Sequence, residues 1–255
     1  MTTQPEHRAS ESVEPAATAA KVPSRTAPAF TVRHIQLMRA LFAAIAAVMI
    51  TFSPDHSAAV GLAVFSGFAI ATALVLLLGS WLVYPKGRRW PWLLSGSVTA
   101  VAGMAASMYP VRTVLGFFVV MVSWALVAGL IEALSGWWML RHDVTRGEMP
   151  RSEARDAIVV GALGVVLAIA LLLVPAGYAL PYTVAEADQT FVLTGIIIGV
   201  GLFGGYAAIV AVYLGIAGFS PRTDPQVDAA DQSDAGAPAG RAATEPPTTE
   251  RKDLA

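Results

Sequence analysis

Cysteine is absent from this sequence, and charged side chains make up only 14% of its 255 residues. The absence of cysteine excludes a disulfide framework, a thiolate metal site and a cysteine nucleophile. The net charge of -1 and the pI near 6.4 provide no concentrated basic face that could replace the counterions of phosphate groups. We therefore expect no nucleic-acid partner.

The motifs that commonly indicate an enzyme are also missing. The histidines lie at scattered positions without the spacing of a zinc site; they are His7, His34, His56 and His142. Serines within the apolar runs have no histidine base nearby, and no glycine-rich phosphate loop or Walker lysine occurs. The sequence therefore predicts a non-enzymatic protein with no catalytic residue, no cofactor and no metal, and it does not name a small-molecule ligand.

Apolar residues, by contrast, are abundant and segregated. They make up 55% of the chain, and the mean hydropathy is +0.60. Long runs of about the twenty residues that a bilayer requires lie near 35–53, 58–84, 90–109, 112–140, 157–175 and 190–218. Because only a helix closes every backbone hydrogen bond within one such run, the sequence predicts an all-α membrane protein with six transmembrane helices.

Polar stretches flank these runs. Residues 1–33 and 220–255 are rich in Ala, Thr, Pro and acidic residues and hold few large apolar side chains. We predict that both are disordered cytoplasmic tails on either side of a transmembrane domain at 34–219. Since the residues before the first apolar run are mostly polar, we expect that run to be kept as an anchor and not removed as a signal peptide.

Positive charges fall on one side of the predicted spans. Lysine and arginine near the ends of the even-numbered runs include Lys86, Arg88, Arg89, Arg141, Arg146, Arg151, Arg155 and Arg222, while the opposite loops offer only Arg112. Positively charged loops stay in the cytoplasm. We therefore expect a multi-pass protein of the bacterial inner membrane with both termini in the cytoplasm and the lipid bilayer as its main partner.

A repeat organises the six runs. In each pair the first run ends at an outer proline, Pro54, Pro110 or Pro175, and the second run returns. This predicts three tandem helical hairpins at about 35–84, 90–140 and 157–218. Aligning the second helices of the first two hairpins places Gly79 over Gly136 and Trp81 over Trp138.

This pattern resembles the HdeD family of small bacterial membrane proteins, which are built from such a hairpin repeat. The strongest match is the fourth run, SWALVAGLIEALSGWWMLR, and the resemblance spans about residues 34–219. It implies a role in tolerance of acid or envelope stress, although the motifs of the family do not define a molecular mechanism.

Glu132 is the only acidic residue inside an apolar run. It lies about 13 Å along the helix from Arg141, at 1.5 Å per residue, and an ionisable group at such a depth is costly unless it is paired or protonated. Two interpretations remain open. Glu132 forms a structural ion pair with Arg39 of the first run, or it handles protons or a substrate in a small transporter or channel.

Arg112 begins the fourth run on the outer side. A long basic side chain at this level anchors at lipid head groups with its stem in the apolar region. The alternative is an ion pair with one of the acidic residues of the outer loops, which are Asp55, Glu186 and Asp188.

The sixth run contains two glycine pairs at the spacing that lets helix backbones approach closely in lipid, Gly195 with Gly199 and Gly201 with Gly205. They serve either packing within the chain or contact between copies in a homo-oligomer.

Overall fold

A computed structural model of the chain describes residues 30–147, 150–184 and 189–220. Within these ranges the α-helices are α1 Val32–Phe52, α2 Ala58–Leu82, α3 Trp90–Ser107, α4 Val114–His142, α5 Arg151–Leu172 and α6 Gly195–Phe219. Short 3-10 turns occupy Lys86–Arg88 and Tyr109–Val111. The predicted disordered tails lie outside the described residues, except for 30–33 and 220, and α1 already begins at Val32.

Five of these helices, α1, α2, α4, α5 and α6, are long and apolar enough to cross a membrane. The helix α3 has 18 residues, and tryptophan, serine, glycine and threonine interrupt its apolar side chains, so it falls outside this group. The prediction of a mostly helical, multi-pass membrane protein is therefore confirmed. The number of six spans stays a prediction.

The helix α5 begins earlier than its apolar run indicates. Pro150 stands at its N-cap, and α5 starts at Arg151 instead of near 157. The first turns have the sequence RSEARD, whose Glu, Ala and Arg favour helix although the segment is not apolar. Glu153 lies in the first turn, where a negative charge interacts favourably with the helix dipole.

A two-stranded element replaces the predicted outer loop at 175–189 and the first residues of the sixth run. Strands β1 Ala179–Val184 and β2 Gln189–Thr194 pair antiparallel, with Ala179 opposite Thr194 and Leu180 opposite Leu193. Their sequences, ALPYTV and QTFVLT, carry the β-branched and aromatic residues that favour strands. The prediction that the sixth span begins at 190 is wrong, because α6 starts only at Gly195.

The helices pack in a regular pattern. The most extensive packing joins α2 to α3, α4 to α5 and α6 to α1, while the pairs of the predicted hairpins, α1 with α2, α3 with α4 and α5 with α6, pack less extensively. The pattern therefore repeats every two helices, as a three-unit repeat requires, but the closest partners lie in neighbouring units. The arrangement as three tandem hairpins stays a prediction.

The two ends of the bundle differ. We call the end with the connections at 53–57 and 108–113 and strands β1 and β2 the hairpin end, and the end with the connections at 83–89 and 143–150 the arginine-rich end. The interior near the hairpin end is aromatic: Phe65 lies with its ring centroid 4.8 Å from Trp124 and 5.7 Å from Phe203, edge to face. Phe65, Phe117 and Phe203 are fully buried.

The seam between α4 and α5 depends on small residues. A Cβ atom on Gly161 would meet the backbone of Ala133 and Gly129, and one on Gly129 would lie 2.8 Å from the carbonyl oxygen of Gly161. A Cβ atom on Gly136 would likewise lie 2.7 Å from the carbonyl oxygen of Ala154, near the start of α5. Only glycine at these positions allows such a close approach of the two backbones.

Candidate functional site

The centre of the candidate site is an ion pair between α1 and α4. The Nη2 atom of Arg39 lies 2.8 Å from Oε1 and 3.1 Å from Oε2 of Glu132, and the two side chains are only 11% and 7% exposed. The hydroxyl of Ser95 on α3 donates a hydrogen bond of 3.1 Å to Oε1. Three helices therefore hold one carboxylate.

The helical periodicity of α4 explains why Glu132 faces inward. Ala128, Gly129, Ser135 and Gly136 lie one turn before and after it and are buried on the same face. Glu132 is about 15 Å from the end of α4, and Arg39 is about 10 Å from the start of α1, at 1.5 Å per residue. Both groups therefore lie in the half of the bundle toward the arginine-rich end.

The arrangement pairs two charges whose burial would be costly for either residue alone. Removing an ion from water costs several kcal/mol, and attraction to a close partner offsets this only when hydrogen bonds complete the geometry. Here the guanidinium contacts both carboxylate oxygens and the serine hydroxyl adds a third contact. A proton delivered to Glu132 would weaken all three contacts together.

A second polar cluster lies between this pair and the arginine-rich end. Asp156 of α5 accepts hydrogen bonds from Nε2 of Gln36 at 2.5 Å and from the hydroxyl of Tyr213 at 2.9 Å. The sequence analysis missed all three residues. Asp156 precedes the fifth predicted run by one position and therefore fell outside it. Gln36 is the only carboxamide within the apolar runs, and its presence there was the one signal that could have indicated the cluster.

Small cavities surround the ion pair. The first, of about 20 Å³, lies beside Arg39, Thr72, Thr99, Glu132 and Tyr206. The second, also of about 20 Å³, lies between Arg39 and the Asp156 cluster and is also lined by Trp92 and Glu153. The third, of about 10 Å³, touches Glu132, Trp92 and Ser135. Each cavity shares at least one lining residue with each of the others.

Arg112 lies apart from this site. It is exposed at the hairpin end, and its Nη2 atom donates a hydrogen bond of 3.4 Å to the carbonyl oxygen of Ser107. Asp55 does not pair with it; its carboxylate instead accepts hydrogen bonds from the backbone and side chain of Ser57. Glu186 and Asp188 lie outside the described residues. The exposure of Arg112 favours the anchoring interpretation.

The two glycine registers of α6 face different surroundings. A Cβ atom on Gly199 would lie 3.0 Å from the ring of Phe117, and one on Gly195 would meet the carbonyl oxygen of Pro175, so this register packs within the chain. Gly201 and Gly205 have nothing within 4 Å of such an atom. They line an open apolar groove of about 420 Å³ between α5 and α6.

Within the part of the chain that the structure describes, no group of three or more histidine, aspartate or glutamate side chains is placed to ligate a metal. Comparison of the chain with protein families, curated proteins and solved structures gives no match. The class of the protein therefore rests on its own residues. It is a multi-pass integral membrane protein whose helices enclose a hydrogen-bonded ion pair.

Proposed function

We propose that this chain is a non-enzymatic HdeD-type protein of the bacterial inner membrane that supports tolerance of acid or envelope stress. The observation that carries the proposal is the buried Glu132–Arg39 pair. It places a titratable carboxylate where protonation would loosen the contacts between α1, α3 and α4.

The glycines that the repeat aligns both lie against a neighbouring helix, although not the corresponding one. A Cβ atom on Gly79 would meet the side chain of Ile35 on α1, in the same predicted hairpin, whereas one on Gly136 would meet Ala154 and Ile158 of α5, in the next hairpin. The tryptophans two positions later, Trp81 and Trp138, are both exposed on the outer surface of the bundle. These are the residues on which the resemblance to the HdeD family rests.

Arginine contacts at one end of the bundle support the proposed orientation. The guanidinium of Arg89 lies 5.3 Å from the ring centroid of Trp81, and that of Arg141 lies 4.9 Å from Trp137. Tryptophan and arginine together are typical of the boundary between lipid and water. This favours a cytoplasmic position for the arginine-rich end.

Acid survival of cells that lack the protein tests the stress role. We expect deletion to lower survival at low pH, and wild type or Arg112→Gln, which changes an exposed charge, to restore it. Glu132→Gln should not restore survival when it is expressed to the same amount in the membrane as the wild type. Unchanged survival after deletion would contradict the proposal.

Reporter fusions test the orientation. Fusions after residues 87, 146 and 225 should be active on the cytoplasmic side, and fusions after residues 56 and 182 on the opposite side. One reversed connection would contradict the arrangement of six spans.

The alternative function is a small transporter or channel that uses the polar site around Glu132. The cavities beside Glu132 favour it, but their volumes of about 20, 20 and 10 Å³ restrict the passing species to water and protons. Proton flux into liposomes that contain the purified protein tests this alternative. Flux at the level of empty liposomes would exclude it.

A further inference from the structure

We propose that the three cavities hold water and form an access path from the arginine-rich end to Glu132, closed toward the hairpin end by aromatic side chains. Protons would then exchange with Glu132 from one end of the bundle only. This inference concerns the interior of the protein and holds whether or not the chain takes part in stress tolerance.

Two buried polar atoms point to water in these cavities. The hydroxyl of Thr72 and the indole nitrogen of Trp92 have no hydrogen-bond partner among the described residues, and both side chains are at least nine-tenths buried. Thr72 lines the first cavity, and Trp92 lines the second and the third. Buried polar groups without a protein partner are usually satisfied by ordered water.

The sizes of the cavities fit this occupant. A cavity needs roughly 10–15 Å³ to hold one water molecule, and the volumes are about 20, 20 and 10 Å³. Arg39 and Val160 line both the first and the second cavity, Trp92 and Ala157 line both the second and the third, and Glu132 lines both the third and the first. Neighbouring cavities therefore share one or two lining residues, and small movements of these side chains would let a proton pass.

Polar groups surround Glu132 on most sides, and the remaining side is apolar. Arg39 of α1 and Ser95 of α3 contact the carboxylate. Other polar groups lining its cavities come from α2, α3, α4 and α6, namely Thr72, Thr99, Ser135 and Tyr206. The helix α5 contributes Val160, Gly164 and Ala157 there. Glu153 and Asp156 of α5 line only the second cavity, which is nearer to the arginine-rich end.

The two directions away from Glu132 differ in chemistry. Toward the arginine-rich end, the second cavity leads to Glu153 and Asp156 in the first turns of α5. Toward the hairpin end lie the hydrogen bond of 3.2 Å from Trp124 to Thr99 and that of 2.8 Å from Ser66 to the carbonyl oxygen of Gly103. Rings fill the interior there, with centroid distances of 4.8 to 6.0 Å, those of Phe65, Phe68, Trp124 and Phe203. The hydroxyl of Ser66 already has a protein partner, and Ser66 lines none of the three cavities.

Hydroxyl-radical oxidation of single cysteines tests the hydration, because the chain has no cysteine of its own. Thr72→Cys places the reporter in the first cavity. Ser66→Cys is the matched control, since Ser66 is also buried on α2 but bonds the carbonyl oxygen of Gly103 and lines none of the three cavities. In full-length protein in lipid nanodiscs exposed to short X-ray pulses, we expect several-fold more oxidation of Thr72→Cys. Equal oxidation of the two reporters would overturn the proposal.

A second pair of substitutions on α5 tests the direction of access. Ala157→Val narrows the second and third cavities, which Ala157 lines, whereas Ala168→Val makes the same change at a buried site of the apolar core. We expect Ala157→Val to lower the oxidation of Thr72→Cys and Ala168→Val to leave it unchanged. If Ala157→Val leaves the oxidation of Thr72→Cys unchanged, or if Ala168→Val lowers it as much, access from the arginine-rich end is overturned. Ser135→Cys in the third cavity serves as the reporter if Thr72→Cys does not fold, as judged by size-exclusion chromatography.

Discussion

The two halves of the bundle fill their interiors in different ways. Toward the hairpin end, phenylalanine and tryptophan rings pack edge to face around the fully buried Phe65, Phe117 and Phe203. Toward the arginine-rich end, the interior holds an ion pair, the hydrogen-bonded Asp156 and small cavities. Aromatic packing dominates the first half, which also holds the hydrogen bond from Ser66 to Gly103, whereas the second half holds charged groups that depend on a partner.

This difference indicates where chemistry can take place. Dispersion contacts between rings are many and individually weak, and a proton does not change them. The contacts of Glu132 are few, and all of them depend on its charge. Protonation of Glu132 would therefore act on contacts in the arginine-rich half and leave the ring contacts of the aromatic half unchanged.

The largest effect should follow when the ion pair loses one member. Arg39→Gln leaves Glu132 buried without its cation, and breaking a buried pair costs about 3–5 kcal/mol of the free energy of unfolding. Glu132→Gln should also destabilise the protein, because it strands the guanidinium. The double substitution should recover part of the loss, since two amides can hydrogen bond without charge. Chemical unfolding in detergent micelles measures all three variants.

The same variants separate a structural pair from a proton site. If the pair is only structural, acid protection in cells should follow stability across the series. If Glu132 handles protons, Glu132→Gln should abolish acid protection even where its free energy of unfolding equals that of the variant that carries both Glu132→Gln and Arg39→Gln. Additive effects of the two single substitutions, without any influence on acid protection, would contradict both interpretations.

A loss of similar size but of different origin is expected in the aromatic half. Phe203→Ala removes a fully buried ring and should cost about 3–5 kcal/mol, in which a cavity term adds to the lost transfer free energy. Because no charge is stranded, no second polar substitution should recover this loss. Thermal unfolding of Phe203→Ala, alone and combined with Glu132→Gln, should show additive effects. Strong coupling would mean that the two halves do not act separately.

Two buried serines, one in each half, allow the same substitution to be compared in both. Ser95 donates to the carboxylate of Glu132, and Ser66 donates to the carbonyl oxygen of Gly103 in the aromatic half. Each change to alanine should lower the free energy of unfolding by about 0.5–1.5 kcal/mol, the usual value of one hydrogen bond. Only Ser95→Ala should also alter acid survival. An equal effect of both serines on survival would contradict a special role of the Glu132 site.

The sequence predicts the membrane class and the candidate site for a simple physical reason. Long apolar runs have few alternatives to helix in lipid, and a carboxylate such as Glu132 stands out in a run of apolar residues. Its contact with Arg39 was also foreseen, because both residues lie at a similar depth from the same side of the bundle. What these contacts do in the cell is still a prediction.

Other features escaped prediction because they depend on three-dimensional neighbours. Asp156 looked like a loop residue until α5 was seen to start at Arg151. The second strand is continuous with the apolar residues of α6. Hydropathy alone therefore assigned residues 190–194 to the sixth predicted helix. A close approach of two helix backbones falls at Gly129 and Gly161, between α4 and α5. The sequence predicted close packing at the glycine pairs of α6 instead, because these glycines recur at a spacing of four residues.

The smallest effect should occur on the outer surface of the bundle, since the difference between the halves concerns only the interior. Gly201→Ala and Gly205→Ala add a methyl group where nothing lies within 4 Å, so the free energy of unfolding should change by no more than about 0.5 kcal/mol. Gly204→Ala on the same helix is the matched control, because its methyl group would lie 2.7 Å from Ile50 and should cost about 1–3 kcal/mol.

Unfolding at several ratios of protein to detergent separates the stability of one chain from contact between copies. If Gly201→Ala lowers stability only at high protein density, a second copy packs in the groove between α5 and α6. If it lowers stability equally at every density, the groove is closed within one chain and the surface assigned to lipid is part of the interior.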